Sequence, residues 1–180
     1  AILHSDGHAS VFRFKNGRVS YRSRFVRTPR FDSNLAAGRQ QFGYYRNRFT
    51  DDPAVQKLDG TVSNTTPYIF AGRLMALKED GLPHLIDPNT LETKGRWNFD
   101  GKYKSLTFTA HPKVDSETGE MIAYGNEATG PATSDVFAYT IDKAGNVTHE
   151  QRFQVPYVSI MHDIALTQKG QSFAPVGTPR

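Results

Sequence analysis

The sequence predicts an all-β chain built as a partial β-propeller. Three observations carry that prediction: apolar and polar residues alternate at strand period, tight-turn residues recur at short intervals, and no stretch holds a helical period. Residues 11–14, the turn Lys15-Asn16-Gly17 and residues 18–22 read as a first hairpin, because Asn-Gly supplies the positive φ angles of a tight turn. Residues 68–70 and 73–77 flank Ala71-Gly72 as a second. An apolar stretch followed by an Asp-started turn then recurs three times. It occurs as Leu85-Ile86-Asp87-Pro88-Asn89 ahead of Gly95-Arg96-Trp97, as Asp115-Ser116-Glu117-Thr118-Gly119 ahead of residues 121–124, and as Asp142-Lys143-Ala144-Gly145 between residues 136–141 and 147–153. Strands joined by such local turns make an antiparallel meander, which favours a propeller over a Greek-key sandwich with its long crossings. Residues 30–60 break the pattern. Leu35-Ala36-Ala37-Gly38 and Asp51-Asp52-Pro53-Ala54 read there as a long loop with one helical turn. Residues 169–180 abandon the alternation and read as an irregular tail, and residues 1–180 read as one domain.

Composition narrows the class further. With 180 residues, 37% hydrophobic and 22% charged, the chain has the apolar material of an ordinary globular domain, so disorder is excluded. No apolar run reaches the roughly 18 residues a membrane span needs, and Ala1 opens no charged-then-apolar leader. The absence of cysteine removes disulfides, Cys-ligated zinc and thiol nucleophiles, and fits a reducing compartment, so a cytoplasmic location is expected. The formal charge of +4 is uneven: residues 1–50 hold ten Arg and Lys against Asp6 and Asp32. Clustered cations beside Tyr21 and Phe25 are what a nucleic-acid face uses. Tyr21-Arg22-Ser23-Arg24-Phe25 nevertheless alternates as the solvated side of a strand does, and no nucleic-acid-binding motif occurs, so nucleic acid is not an expected partner. A non-catalytic β module that binds a partner through this basic part stands as the alternative.

Two of the six histidines lie at or near the ends of apolar strand segments: His111 in Phe108-Thr109-Ala110-His111-Pro112 and His162 in Ile160-Met161-His162-Asp163. A lone histidine in such a place is more often a hydrogen-bonded structural residue. Two far apart in sequence can share a metal only if the fold returns both strands to one axis, as the inner strands of a propeller do. His4, His8 and His149 stand in end or turn contexts and are expected in solvent, while His84 after Pro83 is open to either reading. Lys78-Glu79-Asp80-Gly81 follows the apolar residues 74–77 directly. Lys78 and Glu79 are then either a surface ion pair of little energetic worth, or Glu79 orients a metal-bound imidazole through its second ring nitrogen.

Several blocks together carry a family resemblance: Lys78-Glu79-Asp80-Gly81-Leu82-Pro83, Asp87-Pro88-Asn89-Thr90-Leu91-Glu92-Thr93, Phe108-Thr109-Ala110-His111-Pro112-Lys113-Val114-Asp115 with Glu117-Thr118-Gly119-Glu120, and Met161-His162-Asp163. In order and context they resemble the carotenoid cleavage oxygenases, most of all the lignostilbene dioxygenase branch, from Asp6-Gly7 to about Gln168. The resemblance implies a seven-bladed propeller holding a non-haem Fe(II) on four histidines. The implied activity is cleavage of a conjugated double bond with O2 into two carbonyl products. It further implies that His111 and His162 are the first two iron ligands, that Glu79 braces a ligand histidine, His162, and that Tyr45 and Lys78 bind the phenol oxygen of a stilbene. A Lys–Tyr pair beside a phenol favours the phenolate by charge and hydrogen bonding, which enriches the double bond in electrons.

The chain also departs from that pattern. Blades of this kind take about 40–45 residues each, so the chain supplies three to four of the seven. No histidine follows His162, and Ser10 stands where the family commonly has a histidine. The chain is therefore expected to be a fragment of an oxygenase with a hydrophobic, phenolic substrate, and to turn over little or not at all alone. An apocarotenoid substrate is the alternative within the family. Nothing in the sequence sets an oligomeric state.

Overall fold

In the computed structural model, residues 5–45, 47–167 and 170–176 are described, and every strand pairing among them is antiparallel between strands consecutive in sequence. β1 (His8–Lys15) and β2 (Arg18–Phe25) form a hairpin. β3 (Thr66–Phe70), β4 (Arg73–Leu77), β5 (His84–Ile86) and β6 (Thr93–Arg96) form a four-stranded sheet. β7 (Lys113–Val114), β8 (Met121–Asn126), β9 (Asp135–Ile141) and β10 (Val147–Gln154) form a second, and β11 (Ile160–Thr167) pairs with β12 (Gly170–Val176). This is the meander that local turns dictate. Asn16 and Gly17 both have positive φ, 50° and 71°, as the first hairpin turn requires. Asp87, Asp115 and Asp142 each accept backbone N–H groups from the residues that follow, which closes the three recurring turns and, at Asp87 and Asp142, holds the carboxyl below its ordinary range.

Each sheet packs on the next through its own apolar cluster. Val26, Ala76, Ile86 and Leu91 join the β1–β2 hairpin to the β3–β6 sheet. Phe70, Met75, Leu77, Trp97, Met121 and Tyr139 belong to the largest cluster, which joins the two four-stranded sheets. Tyr124, Val136, Met161 and Ile164 join the β7–β10 sheet to the β11–β12 hairpin. Each fully buried side chain of this kind stabilises the fold by roughly 1.5–3 kcal/mol. Sheets stacked in chain order, each touching its neighbours, make a partial propeller of two four-stranded blades and two hairpins among the described residues.

Two local expectations are corrected. The stretch 30–60 is not a loop with a single turn, because α1 runs over nine residues, Pro29–Ala37. Its signals were in the sequence: Thr28 caps it by accepting the Phe31 N–H, Pro29 needs no N–H partner in the first turn, and Gly38 ends it at φ 62°. Two short 3-10 turns, Arg48–Thr50 and Pro53–Val55, follow. The stretch 169–180 is not an irregular tail either. Gly170–Val176 pair with β11 from Thr167↔Gly170 to Ile160↔Val176, since a neighbouring strand edge supplies backbone partners whatever the side-chain pattern. The rest of that stretch, residues 169 and 177–180, lies outside the described residues, as does His4.

One close approach positions the site. A Cβ on Gly125 would fall 2.0 Å from Ser105 Oγ and 2.3 Å from the Thr107 carbonyl oxygen. Only glycine lets the segment before β7 run flush along β8, where Leu106 N donates to Ala128 O and Thr109 N to Tyr124 O. That segment carries His111 to the edge of the β11 hairpin.

Candidate metal centre

Three elements deliver the cluster. Glu79 follows the end of β4, His111 precedes β7, and His162 sits in β11 between Met161, which pairs with Pro175, and Asp163, which pairs with Ala174. His162 is thus the extra residue of a β-bulge, a device that re-aims a side chain out of the regular alternation. The two imidazoles meet with Nε2 atoms 3.2 Å apart and ring planes at 73°.

Glu79 Oε1 accepts from His162 Nδ1 at 2.5 Å. A proton held on Nδ1 by this carboxylate leaves Nε2 as the atom of His162 that faces His111. Glu79 is 5% exposed and its other oxygen lies 3.7 Å from Lys78 Nζ, itself 5% exposed, so the carboxylate is engaged on both oxygens behind the imidazole. The three residues offer atoms within 4.8 Å of one another. The chemistry separates them into two nitrogen donors and one carboxylate that orients a donor. A divalent cation fits this set, since a buried anion behind a neutral imidazole is how proteins fix a metal-ligating tautomer, and nitrogen donors with no sulfur suit ferrous iron.

The surroundings are polar and paired. Lys78 Nζ stands 4.8 Å from the centroid of the half-buried Tyr45 ring. Asp80 accepts from Thr61 Oγ1 at 2.6 Å, and burial pushes its carboxyl up more than that bond and Lys78 lower it. Lys113 Nζ and Asp163 Oδ1 pair at 2.6 Å beside the two histidines, and this bond, with the Ile164 amide, outweighs desolvation and holds Asp163 below its ordinary range.

The structure brings all five sequence-selected residues, Tyr45, Lys78, Glu79, His111 and His162, into this one neighbourhood. His84 is elsewhere: buried in β5, its Nδ1 bonds Ser63 Oγ at 2.8 Å, and desolvation, with the Arg96 charge, lowers it to about 4. His8 and His149 are exposed, as expected. Sequence reasoning passed over Thr109 and Tyr124. Thr109 Oγ1 accepts the His111 backbone N–H at 3.0 Å, and the Tyr124 hydroxyl donates to the Met161 carbonyl at 2.7 Å. Their only signal was proximity to the histidine blocks.

Residues 2–169 match the family model described as Retinal pigment epithelial membrane protein. The chain is 48% identical over 172 residues to isoeugenol monooxygenase of Pseudomonas putida, covering 96% of this chain and 36% of that protein. It is 45% identical to lignostilbene-alpha,beta-dioxygenase isozyme III of Sphingomonas paucimobilis, covering 93% of this chain and 34% of that one. The crystal structure of Pseudomonas brassicacearum lignostilbene dioxygenase superposes with a TM-score of 0.86 at 45% identity, over 92% of this chain and 34% of that one. The chain spans about a third of the length of these relatives. No helix among the described residues is long and apolar enough to cross a membrane. A match over nearly the whole chain, with identities well above 40%, makes this chain a member of the Retinal pigment epithelial membrane protein family, the carotenoid cleavage oxygenases, which are non-haem iron oxygenases.

Proposed function

We propose that this chain is part of an Fe(II) dioxygenase that cleaves the central double bond of a phenolic stilbene with O2 into two aldehydes. The observation that carries this reading is the convergence of His111 Nε2 and His162 Nε2 at 3.2 Å with Glu79 on the far nitrogen of His162. His111 and His162 would hold the iron, which supplies the redox-active centre at which dioxygen is activated. Glu79 keeps the His162 proton on Nδ1 and so keeps Nε2 available. Lys78 and Tyr45, 4.8 Å from nitrogen to ring centroid, form the phenol-binding pair. The Tyr45 hydroxyl donates to the phenol oxygen and the Lys78 ammonium stabilises its anionic form. The names of the relatives support a phenolic substrate, since lignostilbene and isoeugenol both figure in them. Residues 1–180 act as one partial propeller domain, and we place the protein in the cytoplasm, with the small molecule and O2 as its partners.

Two nitrogen donors hold iron far less firmly than four, so the purified 180-residue chain is expected to bind Fe(II) weakly and to release no aldehyde from 4-hydroxystilbene above background. Anaerobic Fe(II) titration and aldehyde quantitation test this. His111→Ala should abolish metal binding. Metal binding unchanged in that variant would overturn the iron reading, and robust turnover at stoichiometric iron would overturn the inactivity of the chain. Lys78→Met should weaken binding of 4-hydroxystilbene, and binding unchanged by it would point to a substrate without a phenol.

A further inference from the structure

Tyr124 sits where the two histidine-bearing segments can be held by one side chain. It lies on β8, is fully buried, and belongs to the apolar cluster that joins the β7–β10 sheet to β11. Its backbone oxygen accepts from Thr109 N at 2.7 Å, two residues before His111. Its hydroxyl crosses between sheets to donate to the carbonyl of Met161 at 2.7 Å, the residue immediately before the bulged His162. The Thr109 side chain closes the path, since its Oγ1 accepts the His111 N–H at 3.0 Å. A continuous run of bonds therefore passes from the His111 amide through Thr109 and Tyr124 to the peptide that carries His162.

We propose that Tyr124 is a positioning residue that sets the spacing of His111 and His162, with Thr109 as its link to His111. The inference rests on the metal-centre reading above. A bulged strand has lost ladder bonds at the bulge, so its peptide orientation must be fixed by something outside the hairpin. The Lys113–Asp163 pair also spans the gap, but its side chains are 35% and 52% exposed, so solvent screens it. The Tyr124 bond is dry, and neutral hydrogen bonds strengthen one another in a chain of this kind. Burial also pushes Tyr124 up to about 12, so its hydroxyl remains a donor at any working pH.

The test is Co(II) binding by the 180-residue chain, followed by calorimetry and by the visible absorption of the bound ion. Tyr124→Phe keeps the ring and removes the hydroxyl. It should weaken Co(II) binding about tenfold, the scale on which outer partners of metal ligands act, and should alter the absorption band. Tyr139→Phe is the comparison. On β9 of the same sheet as Tyr124, its hydroxyl accepts the Lys104 and Ser105 amides and bonds neither histidine-bearing peptide, so the variant should lose thermal stability without moving the Co(II) affinity or the spectrum. Thr109→Val should weaken binding in the same direction and decides the matter if Tyr124→Phe does not fold. Unchanged affinity in the folded Tyr124 or Thr109 variant, or equal weakening by Tyr139→Phe, would overturn the positioning role. A wild-type chain that binds no Co(II) would instead overturn the metal-centre reading itself.

Discussion

At the end of β4, Lys78 and Glu79 are each 5% exposed, whereas in the β1–β2 hairpin Phe14 is 76% exposed and Phe12 63%. The charged pair is inside and the aromatic pair is outside. Phe12 and Phe14 lie in, and Lys78 and Glu79 directly follow, a short antiparallel strand of a hairpin with a two-residue turn, so local structure does not separate them. What separates them is the number of neighbouring sheets. β4 is the second strand of four and packs between β3 and β5, with Met75, Ala76 and Leu77 buried on the way to Lys78. The β1–β2 ladder has no third strand among the described residues, and it touches the next sheet through Val26 with Ala9 and Val11. A buried ionic pair is a poor source of stability beside a well-packed apolar one. Its place at the end of β4 is explained by the imidazole it holds rather than by folding energy.

The sharpest way to break this contrast is Glu79→Ala. It strands the Lys78 charge in a dry site and frees the His162 Nδ1 proton, so we expect a loss of about 4 kcal/mol, or a fall in Tm of roughly 8–16 °C for a chain of this size. Thermal unfolding followed by circular dichroism reads it directly, and a change under about 1 kcal/mol would show that the pair is wetter than its burial implies.

The pH dependence of unfolding comes next. His84, buried in β5, has a folded-state pKa of about 4, below its unfolded value of 6.5. The unfolded chain therefore binds the extra proton first. The contribution of His84 is fully present above pH 6.5 and is lost as the pH falls toward about 4. At about 1.4 kcal/mol per unit this amounts to up to about 3 kcal/mol. Burial raises the carboxyls of Asp6, Asp59 and Asp80, which opposes the trend. The quantity to measure is accordingly the difference between wild type and His84→Gln in urea melts at each pH, which should narrow from neutral pH to pH 4. A constant difference would mean that the His84 ring titrates freely.

Phe14→Ser, on the exposed side of the comparison, should change stability by no more than about 0.5 kcal/mol. A larger loss would reveal that the hairpin face is covered in solution.

Much of this molecule could be read in the order of its residues. Asn16-Gly17, Ala71-Gly72 and the three Asp-started turns placed hairpins where the structure has them, because turn chemistry depends on neighbours a few positions away. The nine-residue α1 was legible from Thr28-Pro29 and Gly38, but those caps are easily lost beside a helix whose apolar face is weak. The strand Gly170–Val176 was not legible, since its partner rather than its own pattern makes it a strand. The candidate site divided in the same way. The residue types at Glu79, His111 and His162 stood out in the sequence. The bulge that turns His162, the flush approach at Gly125 and the Tyr124 bond to Met161 did not.

By itself, then, the sequence determined the meander, its turns and the identities of two imidazoles and one carboxylate, because each depends on residue type and short-range spacing. Only the tertiary structure decided that those three groups meet, that the carboxylate faces Nδ1 and leaves Nε2 open, and that a buried hydroxyl ties the two strands together. Side chains so distant along the chain acquire a common position through the packing of successive sheets. That packing depends on the fit of the buried clusters between them, which no local pattern encodes.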